Sequence, residues 1–366
     1  MRVGFYAPMP PARTGVADYA AALAGALGRR GEVRIAPSRC DVALYHLGNN
    51  RLHAEIYRRA LAEPGVVVLH DAVLHHFLLG QLTRGEYIEE FVYNYGAWNG
   101  GLAEELWESR SGSGTDGRYF EFPMLRRIAE RSRAVIVHNP AAARMVREHA
   151  AQARVMEIPH LFRAPEMPGE AEVLRYRDEL GLRRASFVFG VFGYLRESKR
   201  VAAILDVFAR LRRERPDIEL LVAGAFVSAD LERMTRRLLE SDGVTCRPYL
   251  SRREFWLAAS VVDGCINLRY PAAGETSGIA IRMIGIGKPV LVTDSEECAR
   301  FPEDGCVRVT AGVGERDSLW RHMVLLTSVP GVGRAIGERG AAHIRARHDL
   351  EQVADQYWSA LCEYRC

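Results

Sequence analysis

Arg269-Tyr-Pro-Ala-Ala-Gly-Glu-Thr-Ser-Gly-Ile-Ala-Ile-Arg-Met-Ile-Gly-Ile-Gly-Lys-Pro-Val-Leu-Val-Thr-Asp294 is the most informative stretch of this 366-residue chain. It is entered from an apolar run, Gly264-Cys-Ile-Asn-Leu268, that reads as a buried strand. Pro271 and Gly274 turn the chain, and Glu275, Thr276 and Ser277 stand where a helix must begin. Ile279, Met283 and Ile286 keep three- and four-residue spacing, which predicts one apolar helical face. Gly287 ends that helix, and 289–293 reads as the next parallel strand. The first turn of such a helix offers unpaired N–H groups and the positive end of its dipole, a seat for phosphate. Gly274, Thr276, Ser277 and Gly278 are therefore candidate phosphate contacts. A carboxylate beside a phosphate seat reads instead as an acceptor for hydroxyl groups carried by the ligand. Phosphate together with hydroxyls points to a nucleotide sugar. The plainer alternative for Glu275 is a first-turn acid that favours the helix dipole.

Outward from this stretch, strands alternate with helices along the whole chain. The first half predicts strands at 3–7, 33–35, 42–45, 66–69, 134–137 and 155–158, with a helix over 18–28 on Ala20, Leu23 and Leu27. The second half predicts strands at 187–192, 218–223, 244–247, 263–268, 289–293 and 307–310. Such alternation, with near-continuous apolar strands, means parallel sheets covered on both faces. The segment 159–169 carries three prolines and reads as a linker. The expected class is α/β, with two doubly wound, Rossmann-like domains whose strand C-termini face a central cleft. Domain 1–160 carries a helical insertion at about 72–133, rich in aromatic residues, with a mobile glycine-rich loop at 111–117. Domain 170–348 follows, and a last helix, 349–366, uses Tyr357, Trp358 and Leu361 for packing.

Composition narrows the function classes. Hydrophobic residues make up 48% and charged residues 26% of the chain, ordinary for a globular protein with large cores. A formal net charge of +3 gives no footprint for nucleic acid, and the recurring Arg-Arg pairs read as solvated helix faces. No apolar run approaches the roughly 20 residues of a membrane span. The chain enters a strand directly from its first residues, so no signal peptide is expected. Seven cysteines without a C-x-x-C pair suggest reduced thiols in a cytoplasmic protein, with no zinc site.

Several loops add candidates. Gly15 and Asp18 lie between the first strand and first helix, where a glycine allows close approach to an anion; an ordinary strand-to-helix loop is the alternative. His70 and Asp71 end the buried run Val66-Val-Val-Leu69, at the ligand-binding edge of such a sheet; a capping Asp and a satisfied buried His would look the same. His75 and His76 follow, adjacent but without an i+4 partner for a metal, and read as lining the acceptor side or the helix surface. Lys199 and Arg200, with Arg196 just before, stand at a helix entry, where positive charge opposes the dipole unless an anion sits there. Arg269 is a further candidate for phosphate, or for a surface ion pair. His160 reads as structural.

Gly287-Lys-Pro-Val290 and Gly274-Glu-Thr-Ser-Gly278 resemble the closing and opening of the signature of retaining nucleotide-sugar glycosyltransferases of the GT-B fold, often called family four. The second Glu of that signature is absent: its place is Met283 counting forward from Glu275, or Arg282 counting back from Gly287. In the family that Glu commonly holds the ribose. The resemblance implies a glycine loop against donor phosphates and sugar at Gly15, and a donor-sugar contact at His70. It implies a diphosphate contact at Lys199, with Tyr194 in the family's Arg position and Arg196 or Arg200 supplying that charge. It implies nucleobase reading near Tyr249 and Leu250, and a closing helix that crosses back to the first domain. Catalysis falls to Glu275 and His70, with Asp18, Asp71 and His75 on the acceptor side. The implied reaction moves a sugar from a nucleotide-diphosphate donor to the hydroxyl of a glycan, lipid-linked or small-molecule acceptor. No cofactor and no metal is expected, and peripheral association with the cytoplasmic face of a membrane is compatible. An epimerase of the same fold, or a nucleotide-sugar binder without catalysis, is the alternative.

Overall fold

The computed structural model describes residues 1–365. The chain forms two compact units: Met1–Arg163 with Pro271–Thr276 and the chain from Arg347 onward, and Ala164–Tyr270 with Ser277–Ala346.

In the first unit six parallel strands form one sheet in the order β2-β1-β3-β4-β5-β6. They are β1 Arg2–Tyr6, β2 Glu32–Ile35, β3 Val42–Leu47, β4 Val66–Leu69, β5 Ala134–Val137 and β6 Val155–Glu157. β4 and β5 are buried at every residue, as their unbroken Val, Ile and Leu content requires of strands covered on both faces. Edge strand β2 is largely exposed. The first helix, Gly15–Leu27, begins earlier than the expected residue 18, because Thr14 accepts the Val16 N–H on its side chain and caps it. It buries Ala17, Tyr19, Ala20, Leu23, Ala26 and Leu27. The closing helix Leu350–Glu363 lies beside it, with Tyr357 and Leu361 wholly buried. Between β4 and β5 come the inserted helices His75–Leu79, Arg84–Tyr95, Gly100–Glu108, Arg118–Glu121 and Arg126–Arg131. Tyr87, Phe91 and Tyr119 fill their core, whereas Trp98 is 86% exposed. The glycine-rich segment 111–117 is a run of turns, tied by Gly112 N to Ser109 O, Ser113 N to Arg110 O and Asp116 N to Gly112 O.

The second unit holds β7 Phe187–Phe192, β8 Ile218–Ala223, β9 Val244–Arg247, β10 Gly264–Asn267, β11 Val290–Thr293 and β12 Val307–Val309. All pair in parallel, in the order β12-β11-β10-β7-β8-β9. The strand order reverses direction at β7, which lies between β10 and β8. The helix of the signature stretch is Gly278–Gly285, starting after Glu275 and Thr276 rather than at them. Its buried residues are Ala280, Ile281, Met283, Ile284 and Gly285, not the single face expected from Ile279, Met283 and Ile286. A second layer causes this. Sheet strands β10 and β11 cover one side, and Gly340, on helix Val332–Arg347, brings that helix close to the Ile284 side chain. Among the described residues no helix is long and apolar enough to cross a membrane.

Candidate functional site

The hexapeptide Pro271–Thr276 is part of the first unit. Ala273 O accepts hydrogen bonds from the Ala72 and Val73 N–H groups at 2.8 and 3.1 Å. Asn139, 1% exposed, donates from Nδ2 to Gly274 O at 2.9 Å and to Thr276 Oγ1 at 3.0 Å. Its Oδ1 meanwhile accepts from Ala142 N at 2.9 Å and caps helix Pro140–His149. Gly274 has φ +67°, and a Cβ there would stand 2.6 Å from the Ala72 Cβ, so only glycine fits this turn. Glu275 Oε2 accepts from Ala273 N at 2.7 Å, which folds the carboxylate back over its own turn. Glu275 therefore precedes the helix and is not its first-turn acid.

His70 follows β4 as expected, and it has company that was not foreseen. Its Nε2 is 2.9 Å from Nδ1 of His46, near the end of the adjacent β3. His138 follows β5, with its ring centroid 5.2 Å from that of His70. His160 follows β6, and the Tyr19 ring lies 4.9 Å from His70 and 4.8 Å from His160. His53 donates from Nδ1 to His46 O at 2.9 Å, and His138 from Nδ1 to Ile158 O at 2.9 Å. Burial drives these rings toward the neutral form. It holds His46 and His70 well below the ordinary imidazole value, helped by neighbouring histidines, and pushes His53 and His138 down to about 4. The signal was present in the sequence as Tyr-His46-Leu, Leu-His70-Asp, Val-His138-Asn and Pro-His160-Leu, one histidine at the C-terminal end of each of four strands. Asn139 carried no such signal.

Asp71 does not cap a helix; its Oδ2 accepts from Asn49 N at 2.8 Å. His75 departs from its expected place on the acceptor side or a helix surface. It is fully buried, with Nε2 2.8 Å from Tyr87 Oη, because the inserted helices fold over it. His76 lies 3.0 Å from Ser113 O through its Nε2. Gly15 and Asp18 are exposed on the first turn of their helix, and a Cβ at Gly15 would meet nothing within 4 Å. Among the described residues no group of three or more His, Cys, Asp or Glu is arranged to hold a metal ion.

In the second unit Lys199 ends a short turn after β7 and is 8% exposed. Its ammonium donates to Phe192 O at 2.5 Å. Gly193, with φ +84°, clears its path, since a Cβ there would lie 2.9 Å from Lys199 Nζ. Arg200 departs from the anion-binding expectation. Its Nε donates to both carboxylate oxygens of Glu315, at 2.8 and 3.0 Å, and Glu315 is 1% exposed. The anion that compensates Arg200 is thus a residue of the chain itself. Arg196 is exposed and makes no ion pair among the described residues. Arg269, just after β10, anchors its N–H on Thr293 Oγ1 at 2.9 Å and donates from Nη2 to Ser277 Oγ at 3.2 Å. Ser277 Oγ also accepts from Ala280 N and caps helix Gly278–Gly285. Tyr249 is 59% exposed and Leu250 half-buried, in the loop between β9 and helix Arg252–Val261. Lys199 and Arg269 therefore follow β7 and β10, the adjacent strands at which the sheet order reverses, and Tyr270 N joins their loops by donating to Ser198 O at 2.7 Å. In open α/β sheets this is where ligands bind. Two cations beside a capped helix start suit an anionic ligand.

No protein-family model and no curated protein matches the chain. Solved structures do. HepE of Anabaena, in complex with UDP and glucose, matches with a TM-score of 0.71 at 13% identity, over 99% of this chain and 100% of its own. Sucrose-phosphate synthase from Thermosynechococcus elongatus gives 0.71 at 14% identity, over 99% and 98%. WaaG, a glycosyltransferase involved in lipopolysaccharide biosynthesis, gives 0.66 at 14% identity, over 98% and 99%. At such identities the likeness is one of architecture, and by that architecture the chain has the GT-B fold.

Proposed function

We propose that the protein is a glycosyltransferase that moves a sugar from a nucleoside-diphosphate donor to an acceptor hydroxyl with retention of configuration. The observation that carries this reading is the pair of cations, Lys199 and Arg269, flanking the strand-order reversal beside the Ser277-capped helix. Structural neighbours solved with UDP, with UDP and glucose, and with UDP-glucose support a nucleotide sugar as the ligand. Negative charge grows on the departing diphosphate, and fixed positive groups stabilise it most in a dry site. We assign that task to Lys199, Arg269 and the N–H groups after Ser277, rather than to a metal ion, with Arg196 as an outer charge. Glu275 is assigned to the donor-sugar hydroxyls, and His70 to the same sugar. Gly15, Gly274, Thr276 and Gly278 keep their roles near the donor, and Tyr249 and Leu250 theirs near the base. Asp18 and Asp71 are assigned to the acceptor, a glycan, lipid-linked or small molecule. A cytoplasmic place and a role in glycan synthesis complete the proposal.

The place of the family's second Glu is occupied by buried Met283, or by Arg282, whose guanidinium lies 5.7 Å from the Phe255 ring centroid. That observation favours a second reading, a nucleotide-sugar binder without turnover. Incubation with UDP-, GDP- and ADP-sugars separates the two. Release of nucleoside diphosphate that rises with acceptor, and product of unchanged anomeric configuration by NMR, are expected, with turnover surviving a chelator. Binding without release would leave the second reading; neither binding nor release would end both.

A further inference from the structure

The histidine pair at the ends of β3 and β4 is asymmetric. Nδ1 of His46 and Nε2 of His70, 2.9 Å apart, share one proton between two neutral rings. The other nitrogen of His46, Nε2, is buried and has no hydrogen-bond partner. The other nitrogen of His70, Nδ1, is neither hydrogen-bonded nor among the sealed-off atoms of the core. Two arrangements are possible. If His46 accepts, its own proton sits on Nε2, as an orphaned N–H in the interior. If His46 donates, the orphan is a bare ring nitrogen.

The neighbours show which arrangement this core adopts. His53 and His138 each place Nδ1 2.9 Å from a carbonyl oxygen, His46 O and Ile158 O, and a carbonyl can only accept. Both rings must therefore be protonated at Nδ1. Both also bury an unpartnered Nε2, which is then the bare nitrogen. His348 follows the same rule toward His160 O at 2.6 Å. The cluster thus tolerates bare Nε2 atoms twice over, whereas buried orphan N–H groups are the rarer and costlier case. Extended to His46, the rule puts its proton on Nδ1.

We infer that His46 is a positioning residue: it donates its Nδ1 proton to Nε2 of His70 and so holds His70 with the proton on Nδ1, the nitrogen that a bound molecule can reach. His70 then acts as a hydrogen-bond donor toward an oxygen of the ligand, a hydroxyl or phosphate oxygen of the nucleotide sugar. The opposite tautomer would present a bare nitrogen and repel the same oxygen lone pairs. The inference rests on the proposed role of His70 at the donor sugar, but the tautomer itself can be read without any ligand.

The experiment is a long-range proton–nitrogen correlation spectrum of protein labelled with nitrogen-15 histidine, with His70→Asn identifying the His70 signals. The wild type is expected to show His70 protonated at Nδ1. His46→Leu is expected to shift His70 toward the Nε2-protonated form and to lower kcat/KM for the donor about tenfold, mostly through KM. His46→Asn, whose amide can donate from nearly the same place, is expected to recover the spectrum and most of the activity. Nε2 protonation in the wild type would overturn the inference. So would a His70 spectrum, or a kcat/KM, that His46→Leu leaves unchanged. Should His46→Leu fail to fold, the wild-type spectrum alone still decides which nitrogen of His70 carries the proton. If the wild type uses no nucleotide sugar, the glycosyltransferase reading fails separately, and the spectrum still decides the tautomer.

Discussion

At the scale of single residues, Glu275 and Gly15 can each be separated from a structural role. The Glu275 carboxylate accepts the Ala273 N–H on Oε2 at 2.7 Å and so helps to hold its own turn. Glu275→Gln keeps a carbonyl oxygen for that bond and loses only the charge. Charge-assisted hydrogen bonds contribute roughly 1.5–3 kcal/mol each. If those bonds go to sugar hydroxyls in the transition state, losing about 3 kcal/mol slows transfer by roughly a hundredfold. The expected result is that slowing, with nucleoside diphosphate affinity and melting temperature nearly unchanged. Near-normal turnover with a lower melting temperature would reduce Glu275 to a loop tether. Gly15 gives the complementary case. It opens its helix at a φ that any residue adopts, and a methyl group added there would meet no atom within 4 Å beyond its chain neighbours. Gly15→Ala should therefore cost no stability, and helix propensity would if anything add a few tenths of a kcal/mol. A rise of about tenfold in donor KM is expected, since the methyl group can only collide with a ligand. An unchanged KM would remove Gly15 from the donor site.

At the scale of elements, the closing helix Leu350–Glu363 joins the first helix through a buried pair, Tyr19 Oη and Tyr357 Oη 2.9 Å apart. Arg30 adds bonds to Asp355 Oδ1 at 2.7 Å and Glu351 O at 2.8 Å. Tyr357→Phe leaves the Tyr19 hydroxyl buried without this partner, a loss of about 1–3 kcal/mol. Tyr19→Phe should cost a similar amount, and the double variant less than the sum, as residues in contact require. Urea unfolding of the four proteins checks this; strictly additive losses would show that the hydroxyl pair contributes nothing. This helix was legible in the sequence because Tyr357 and Leu361 repeat at helical spacing. The central strands, such as β4, β5, β8 and β11, were legible for a related reason: parallel strands buried on both faces are short apolar runs between turn residues. What the sequence withheld was adjacency. Four histidines at four strand ends become one cluster only because β3, β4, β5 and β6 are neighbours in that order. Arg200 looked like an anion ligand because Glu315, its partner, is 115 positions away. The turn at Glu275 looked like a helix start because nothing local announced that Asn139 and Ala72 would hold it.

At the scale of the whole molecule, the histidine cluster makes folding itself sensitive to pH. Of the 11 histidines in the chain, His46, His53, His70, His75, His138 and His348 are buried, all in the first unit. His53 and His138 are pushed down to about 4 by burial, from an unfolded value near 6.5. Between those values the unfolded chain binds protons that the folded protein excludes. Stability is therefore complete above about pH 6.5 and falls as pH drops toward 4. Each such histidine contributes a slope of about 1.4 kcal/mol per pH unit in that window. His46 and His70, also held low by burial, steepen the fall in the same direction. Carboxylates whose values are lowered by arginine partners, such as Glu130 beside Arg126 and Asp116 beside Arg118, act in the same direction but at lower pH, their stabilisation being lost only as pH falls through the carboxylate range. Against a typical total of about 5–15 kcal/mol, slopes of this size are a substantial fraction of the stability. Urea midpoints measured at pH 7, 6 and 5 should fall progressively. His138→Asn should flatten that dependence even if it lowers stability at pH 7, because it removes a titrating ring from the core. A midpoint that stays level from pH 7 to 5, or a slope that His138→Asn leaves intact, would show that these rings titrate in the folded protein as they do in the unfolded chain.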